Sequence, residues 1–191
     1  MSPRPKIALD KQTIVMTAAQ LANEQGSDHV TLALLAKKLN IKPPSLYNHF
    51  DGLPGLKREL AVFSLEKLYN ELEAEALEKS PGEESVLAIT DAYLAFAREN
   101  PGLYEFALSA PDPSDEKVNH AGEKIVMLVL SKIKPFHFSD VEAIHAVRGL
   151  RSLMHGFASL EQKGGFGMPF DINESYRLAV QTFFRGMKKS G

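Results

Sequence analysis

Apolar residues recur at helical spacing along almost the whole chain. Ile14, Ala18, Leu21 and Ala22 follow i, i+4, i+7 and i+8, the stripe that one face of a 3.6-residue turn buries, and Gly26 stands where such a helix stops. A shorter stripe, Leu32, Leu35, Ala36 and Leu39, follows Thr31, whose hydroxyl is suited to capping the first free N–H groups of a helix. Asn40 closes it, since asparagine tolerates the left-handed conformation better than most residues. Residues 41–50, "IKPPSLYNHF", then open a third short helix whose prolines cost nothing, because first-turn N–H groups have no intrahelical partner.

"DGLPG" at 51–55 is a turn signal, and a long helical pattern follows through Leu56, Leu60, Phe63, Leu65, Leu68 and Leu72 as far as the break "KSPGEES". The spacing predicts further helices over about 82–99, near "PGLYEFAL", and over 117–132, with "SAPDPSDE" as a loop between the last two. "IVMLVL" at 125–130 is apolar on every face, which predicts a central helix. Ser139 with Glu142, and Asp171 with Glu174, have the capping-box spacing that opens a helix. The stripe Ile144, Val147, Leu150, Met154 and Phe157 follows the first pair, and Tyr176, Val180, Phe183, Phe184 and Met187 the second; the glycine-rich "KGGFGMPFD" separates them. No stretch alternates as a strand would, and no segment repeats. The fold class expected is all-α.

Composition narrows the chemistry. The 191 residues carry 44% hydrophobic and 24% charged side chains, ordinary for a globular chain that buries about 70% of its unfolded surface. There is no cysteine, which excludes disulfides, thiolate zinc sites, iron–sulfur clusters and a cysteine nucleophile, and suits a reducing compartment. "MSPRPKIALDKQ" has no apolar run behind it and does not read as a signal peptide. "IVMLVL" is far short of the roughly 20 residues of a membrane span, so a cytoplasmic location with no membrane partner is expected.

The net charge of −2 hides an asymmetry. Residues 1–60 hold eight lysines and arginines against five acids, +3, which leaves −5 on the remainder. A basic head on an acidic body is the balance expected when one end meets a polyanion, the alternative being chance scatter of surface charge.

Two short helices joined by a tight turn, the second opening on polar residues, have the layout of a helix-turn-helix. A major groove about 12 Å wide admits one helix, and short or planar hydrogen-bonding side chains on its exposed face reach base edges. Asn48 has the geometry to pair bidentately with adenine, Ser45 to bond a base or a phosphate, and Tyr47 and His49 to reach phosphate oxygens. Leu46 and Phe50, four apart, would face inward. Taken singly, each polar residue is as well explained by a solvated helix face; the set, lying in the basic third of the chain, points to double-stranded DNA.

"TLALLAKKLNIKPPSLYNHFDGLPGLKREL" resembles the DNA-binding motif of the TetR family of bacterial transcriptional regulators, in which a small residue, a leucine–tyrosine pair, a histidine and an aromatic or aliphatic residue follow one another along the recognition helix. The likeness covers about residues 8–60. It implies a three-helix DNA-binding head over 1–55 and a helical ligand-binding and dimerising body over 56–191, about nine helices in all. By position, Thr31 and Tyr47 correspond to phosphate contacts, and Lys42, Pro44, Ser45, Asn48 and His49 to the groove-facing set. Many members carry a lysine at the start of the fourth helix that clasps the DNA backbone; here that position is Leu53, leaving Lys57 or Arg58 for the role.

The stretch 151–176 is similar to the C-terminal domain of one TetR subgroup, with His155–Gly156 as its histidine–glycine pair. That likeness implies a homodimer formed by the last two helices and a small-molecule effector whose binding changes the spacing of the heads. Tyr93, Phe96, Tyr104, Phe106, Met127, Met154, His155 and Phe157 are the candidate lining, mostly aromatic or sulfur-bearing, which fits an apolar or aromatic effector; ordinary core packing is the competing explanation for each. His145 and His155 do not share a helix face, so neither a metal nor another cofactor is expected.

A ligand-responsive regulator, most simply a repressor on a palindromic operator, is therefore the leading reading, and the chain is not expected to be an enzyme. The alternative is a small helical enzyme acting on an apolar molecule through His155 with Glu161 or Arg151, against which stands the lack of paired carboxylates or a nucleophile. An architectural DNA binder would spread basic residues along the chain instead of concentrating them.

Overall fold

The structure is a computed structural model that describes residues 10–108 and 115–188. Among these it contains eight α-helices and three short 3₁₀ segments, and no strand. The helices are α1 (Lys11–Gln25), α2 (Leu32–Leu39), α3 (Gly52–Leu77), α4 (Glu83–Glu99), α5 (Pro101–Leu108), α6 (Glu116–Ile133), α7 (Asp140–Gln162) and α8 (Ile172–Lys188). No helix of the described residues is long and apolar enough to cross a membrane.

The contacts divide the chain into two compact units. Among the described residues, unit 1 holds 10–64 together with 101–108 and 115–118, and unit 2 holds 65–100 and 119–188. The division expected after residue 55 thus falls inside α3, and α5 belongs with the head segment and not with the body.

In unit 1 the stripes read from sequence become the core. Ile14, Ala18, Leu21 and Ala22 of α1 and Leu35 of α2 are almost fully buried, with Leu46, Leu56 and Leu60 beside them. The ends are set by local chemistry. The Asp10 carboxylate accepts the Thr13 N–H at 2.6 Å, and the Thr31 hydroxyl accepts that of Leu34 at 3.2 Å, each taking up an N–H that the first helical turn leaves unpaired. Asn40 sits at φ 55°, ψ 45°, the left-handed position that turns the chain out of α2.

A close approach brings α5 into this unit. At Gly102 a Cβ would lie 2.2 Å from the Ala22 carbonyl oxygen, so only glycine lets the two backbones meet. The Asn23 side-chain oxygen accepts the Leu103 N–H at 3.1 Å and the Ser27 hydroxyl donates to the Glu105 carboxylate, which ties the start of α5 to the end of α1.

In unit 2, α4 packs on α7 and α8, and these two pack on each other. Ile89, Tyr93, Phe96, Leu150, Met154, Tyr176, Val180 and Phe184 fill the interior. The Tyr176 hydroxyl donates to the Thr90 carbonyl at 2.8 Å, and burial raises its pKa far above the usual phenolic range, so it stays a neutral donor. Ser139 and Glu142 form the reciprocal capping box that opens α7, and the Asp171 carboxylate takes the Asn173 N–H at the start of α8.

The expected central helix is a surface helix. In "IVMLVL" Val129 is buried but Met127 is 64% exposed, because six consecutive apolar residues circle the helix and α6 has neighbours on one side only. The loop expected at "SAPDPSDE" lies largely outside the described residues.

Candidate nucleic-acid interface

The segment Pro43–Asn48 is a 3₁₀ helix and not the α-helix that its composition predicts. Two prolines at its start supply no N–H to the ladder, and the chain winds more tightly through Ser45 N–H to the Lys42 carbonyl and His49 N–H to the Leu46 carbonyl, both 3.0 Å. With three residues per turn, Pro44 and Tyr47 share one edge and Ser45 and Asn48 the next.

Burial anchors the segment on one side. Leu46 is fully buried and Phe50, just beyond the 3₁₀ turn, is nearly so, in agreement with the inward direction expected for both. Leu46 packing at zero exposure stabilises by about 1.5–3 kcal/mol and holds its neighbours in register. Phe50 is held from a second direction by α1: Lys11 lies 5.9 Å from its ring centre and forms a 2.6 Å ion pair with Glu59. That brace is invisible in the sequence, since Lys11 is remote along the chain and no spacing pairs it with Phe50.

The opposite side is open. Tyr47 is 61% exposed, and Lys42, Pro44 and Asn48 are exposed with it. Ser45 and His49 are half-buried, the imidazole resting against Phe50 with ring centres 6.2 Å apart. Thr31 is exposed at the start of α2; its oxygen serves as the cap while its O–H remains a donor. Lys42, Pro44, Ser45, Tyr47, Asn48 and His49 thus follow one another along this one short segment of unit 1, and Tyr47, Asn48 and His49 share a recess.

The cations around this face are unequal. Lys38 is engaged by Glu24 at 2.6 Å and Lys11 by Glu59, so both are neutralised locally. Lys37 and Lys42 are exposed and have no ion-pair partner among the described residues. Leu53 and Lys57 are half-buried on the first turns of α3, whereas Arg58 is exposed and lies 3.5 Å from the Asp115 carboxylate. Arg58 also lines, with Tyr47, Asn48, His49 and Lys11, a polar recess of about 170 Å³.

The eight residues considered for an effector pocket are dispersed. Tyr104 and Phe106 are buried in unit 1; Tyr93, Phe96 and Met154 are buried in unit 2, with Phe157 half-buried against Tyr176 and Phe166 at ring separations of 5.1 and 5.4 Å. His155 is exposed on α7, and Met127 lines a surface groove with Tyr69, His120 and Lys124. A larger groove of about 820 Å³ in unit 2 has an alanine floor and a charged rim, in which Glu71, Glu75 and Glu99 stand with the ion pairs Lys79–Glu84 and Arg177–Asp91. Its charged rim had no counterpart among the residues the sequence singles out.

Comparison with known proteins places these features. Residues 14–56 match the family described as bacterial regulatory proteins, tetR family, and residues 86–183 match the tetracyclin repressor-like C-terminal domain. The chain is 42% identical over 184 residues to YobS, an uncharacterized HTH-type transcriptional regulator of Bacillus subtilis (strain 168), covering 96% of this chain and 95% of that protein. Among solved structures, a protein of unknown function from Rhodococcus sp. RHA1 superposes with a TM-score of 0.83 at 21% identity, over 96% of this chain and 98% of the other. TetR from Acinetobacter baumannii AYE superposes with a TM-score of 0.67 at 19% identity, over 95% and 97% respectively.

Proposed function

The chain belongs to the TetR family of bacterial regulatory proteins, and from that premise we propose that it is a ligand-responsive repressor that binds a palindromic operator as a homodimer. One observation carries the reading. Leu46 and Phe50 lock a short segment into unit 1 while Tyr47 and Asn48 stand out from it, which is the division of labour needed to present base-reading groups rigidly to a groove. Asn48 reads adenine; Lys42, Pro44, Ser45 and His49 face the groove beside it; and Thr31, Tyr47 and Lys57 hold phosphates.

The free faces of α7 and α8 support a dimer. Gly149, Ser152, Gly156 and Ser159 form one stripe on α7, and Ser175, Ala179, Thr182 and Gly186 one on α8, small residues that let a second helix pair approach closely. Between them runs a shallow groove floored by Phe183, whose ring closes to 2.5 Å of where a Cβ on Gly149 would stand, and rimmed by Leu178, 63% exposed. A second copy covering this face buries Leu178 and sets two heads one helical turn of DNA apart.

The effector is a small apolar or aromatic molecule, for which Tyr93, Phe96, Met154 and Phe157 of unit 2 are the candidate contacts; the open groove with its charged rim offers such a molecule no apolar enclosure. The enzyme alternative gives way to the family membership; of its residues, Glu161 is ion-paired with Arg98 at 2.9 Å and His155 stands exposed on α7.

Selection of bound sequences from random duplex DNA tests the proposal. The expected result is a palindrome with half-site centres about 34–36 Å apart, one turn or a small multiple. Enrichment of no sequence, or of an unrepeated one, contradicts it.

A further inference from the structure

Resting on that reading, we infer that Arg58 is a phosphate-contacting residue held in reserve by Asp115, and that the protein binds DNA by exchanging one anion for another at this guanidinium. Arg58 stands beside Tyr47 and Asn48 on the recess next to the recognition segment, so its position is suited to a phosphate of any duplex those two residues touch. Its contact with Asp115 is a long one, 3.5 Å from Nε, and its terminal nitrogens hydrogen-bond no acceptor among the described residues. The side chain is 45% exposed. A long ion pair whose arginine is half-exposed is weak enough to exchange, although its aspartate is 13% exposed.

Asp115 does not need Arg58. Its carboxylate already accepts the Lys117 and Val118 N–H groups, at 3.0 and 3.3 Å, as the cap of α6. Both bonds fall on Oδ1 and persist when the guanidinium leaves Oδ2 of this largely buried carboxylate, so Asp115 stays hydrogen-bonded, and a phosphate takes up the fork of donors that Asp115 leaves unused. The other cations of this face differ in kind: Lys11 and Lys38 sit in 2.6 Å pairs, and Lys37 and Lys42 have no acid to release them from. In the absence of DNA the same contact blunts the basic face, which lowers attraction to random duplex.

The test uses the full-length protein and the duplex selected above, with affinity measured across a range of salt concentrations. Arg58→Gln is expected to bind about tenfold more weakly and to lose about 1 from the slope of log affinity against log salt for each protomer, with Arg58→Lys restoring the slope. Asp115→Asn, which keeps a capping side chain, is expected to bind about threefold more tightly than the parent, and this gain disappears when Arg58→Gln is also present. An unchanged slope in Arg58→Gln, no gain in Asp115→Asn, or a gain that survives Arg58→Gln overturns the inference. If the parent protein itself selects no duplex, the proposed function falls and takes the inference with it, a result distinct from tight parental binding with indifferent variants.

Discussion

Asn40, Thr31 and Leu46 show how far single residues specify this head. Thr31 caps α2 through its side chain, and Asn40 takes a left-handed conformation with its backbone N–H on the Ala36 and Lys37 carbonyls; such local chemistry is legible without a fold. Leu46 is different in kind: it has no local partner, and its worth lies in complete burial. Leu46→Ala is expected to destabilise the protein by about 2–5 kcal/mol, read as a lowered midpoint in denaturant titration, and to release the segment that carries Asn48. A loss below about 1 kcal/mol would show that the segment is held in place some other way. What single residues do not disclose is exposure that depends on distant neighbours. Met127 and His155 look like pocket lining by type, yet both face outward, because which side of α6 or α7 is covered is decided by helices far away in sequence.

Elements were legible where periodicity and caps agree, and less so where packing decides. The stripes and capping signals of α1, α2, α4, α7 and α8 place those helices within a few residues of their observed ends. The 3₁₀ winding of Pro43–Asn48 was not evident, since the same prolines that suit the first turn of an α-helix also remove the N–H groups that would favour its wider ladder. Nor was the docking of α5 on α1. "PGLYEFAL" reads as a short apolar helix, and nothing in its period says that Gly102 rests on the Ala22 carbonyl. Gly102→Ala is therefore expected to cost more than the roughly 1 kcal/mol that a glycine-to-alanine change gains in an open helix, because the obstruction is backbone and has no rotamer to escape into. Thermal unfolding measures this: a clear fall in midpoint is expected, and an unchanged or raised midpoint would mean that α5 stands off α1.

At the scale of the whole molecule, the charge asymmetry and the exposed α7–α8 face carry the argument. The +3 of the first 60 residues is smaller in effect than it looks, because Lys11, Lys38 and Arg58 are partnered by acids, and only coordinates reveal this. The division of α7 and α8 between core and free face was likewise open in the sequence; Leu150, Met154, Tyr176, Val180 and Phe184 turn out to be interior, which leaves the small-residue stripes and Leu178 outward. Light scattering is expected to return twice the chain mass of 21.1 kDa. Leu178→Glu, a charge placed on the exposed rim of that face, is expected to shift the protein to monomer without unfolding it, and a variant that stays dimeric would move the interface elsewhere. The most direct test of the central claim, that Asn48 reads a base from a rigidly held segment, is the affinity of Asn48→Ala for the selected duplex and for a scrambled one. A loss of about 1–3 kcal/mol on the selected duplex with little change on the scrambled one is the predicted result, and equal losses on both would contradict it.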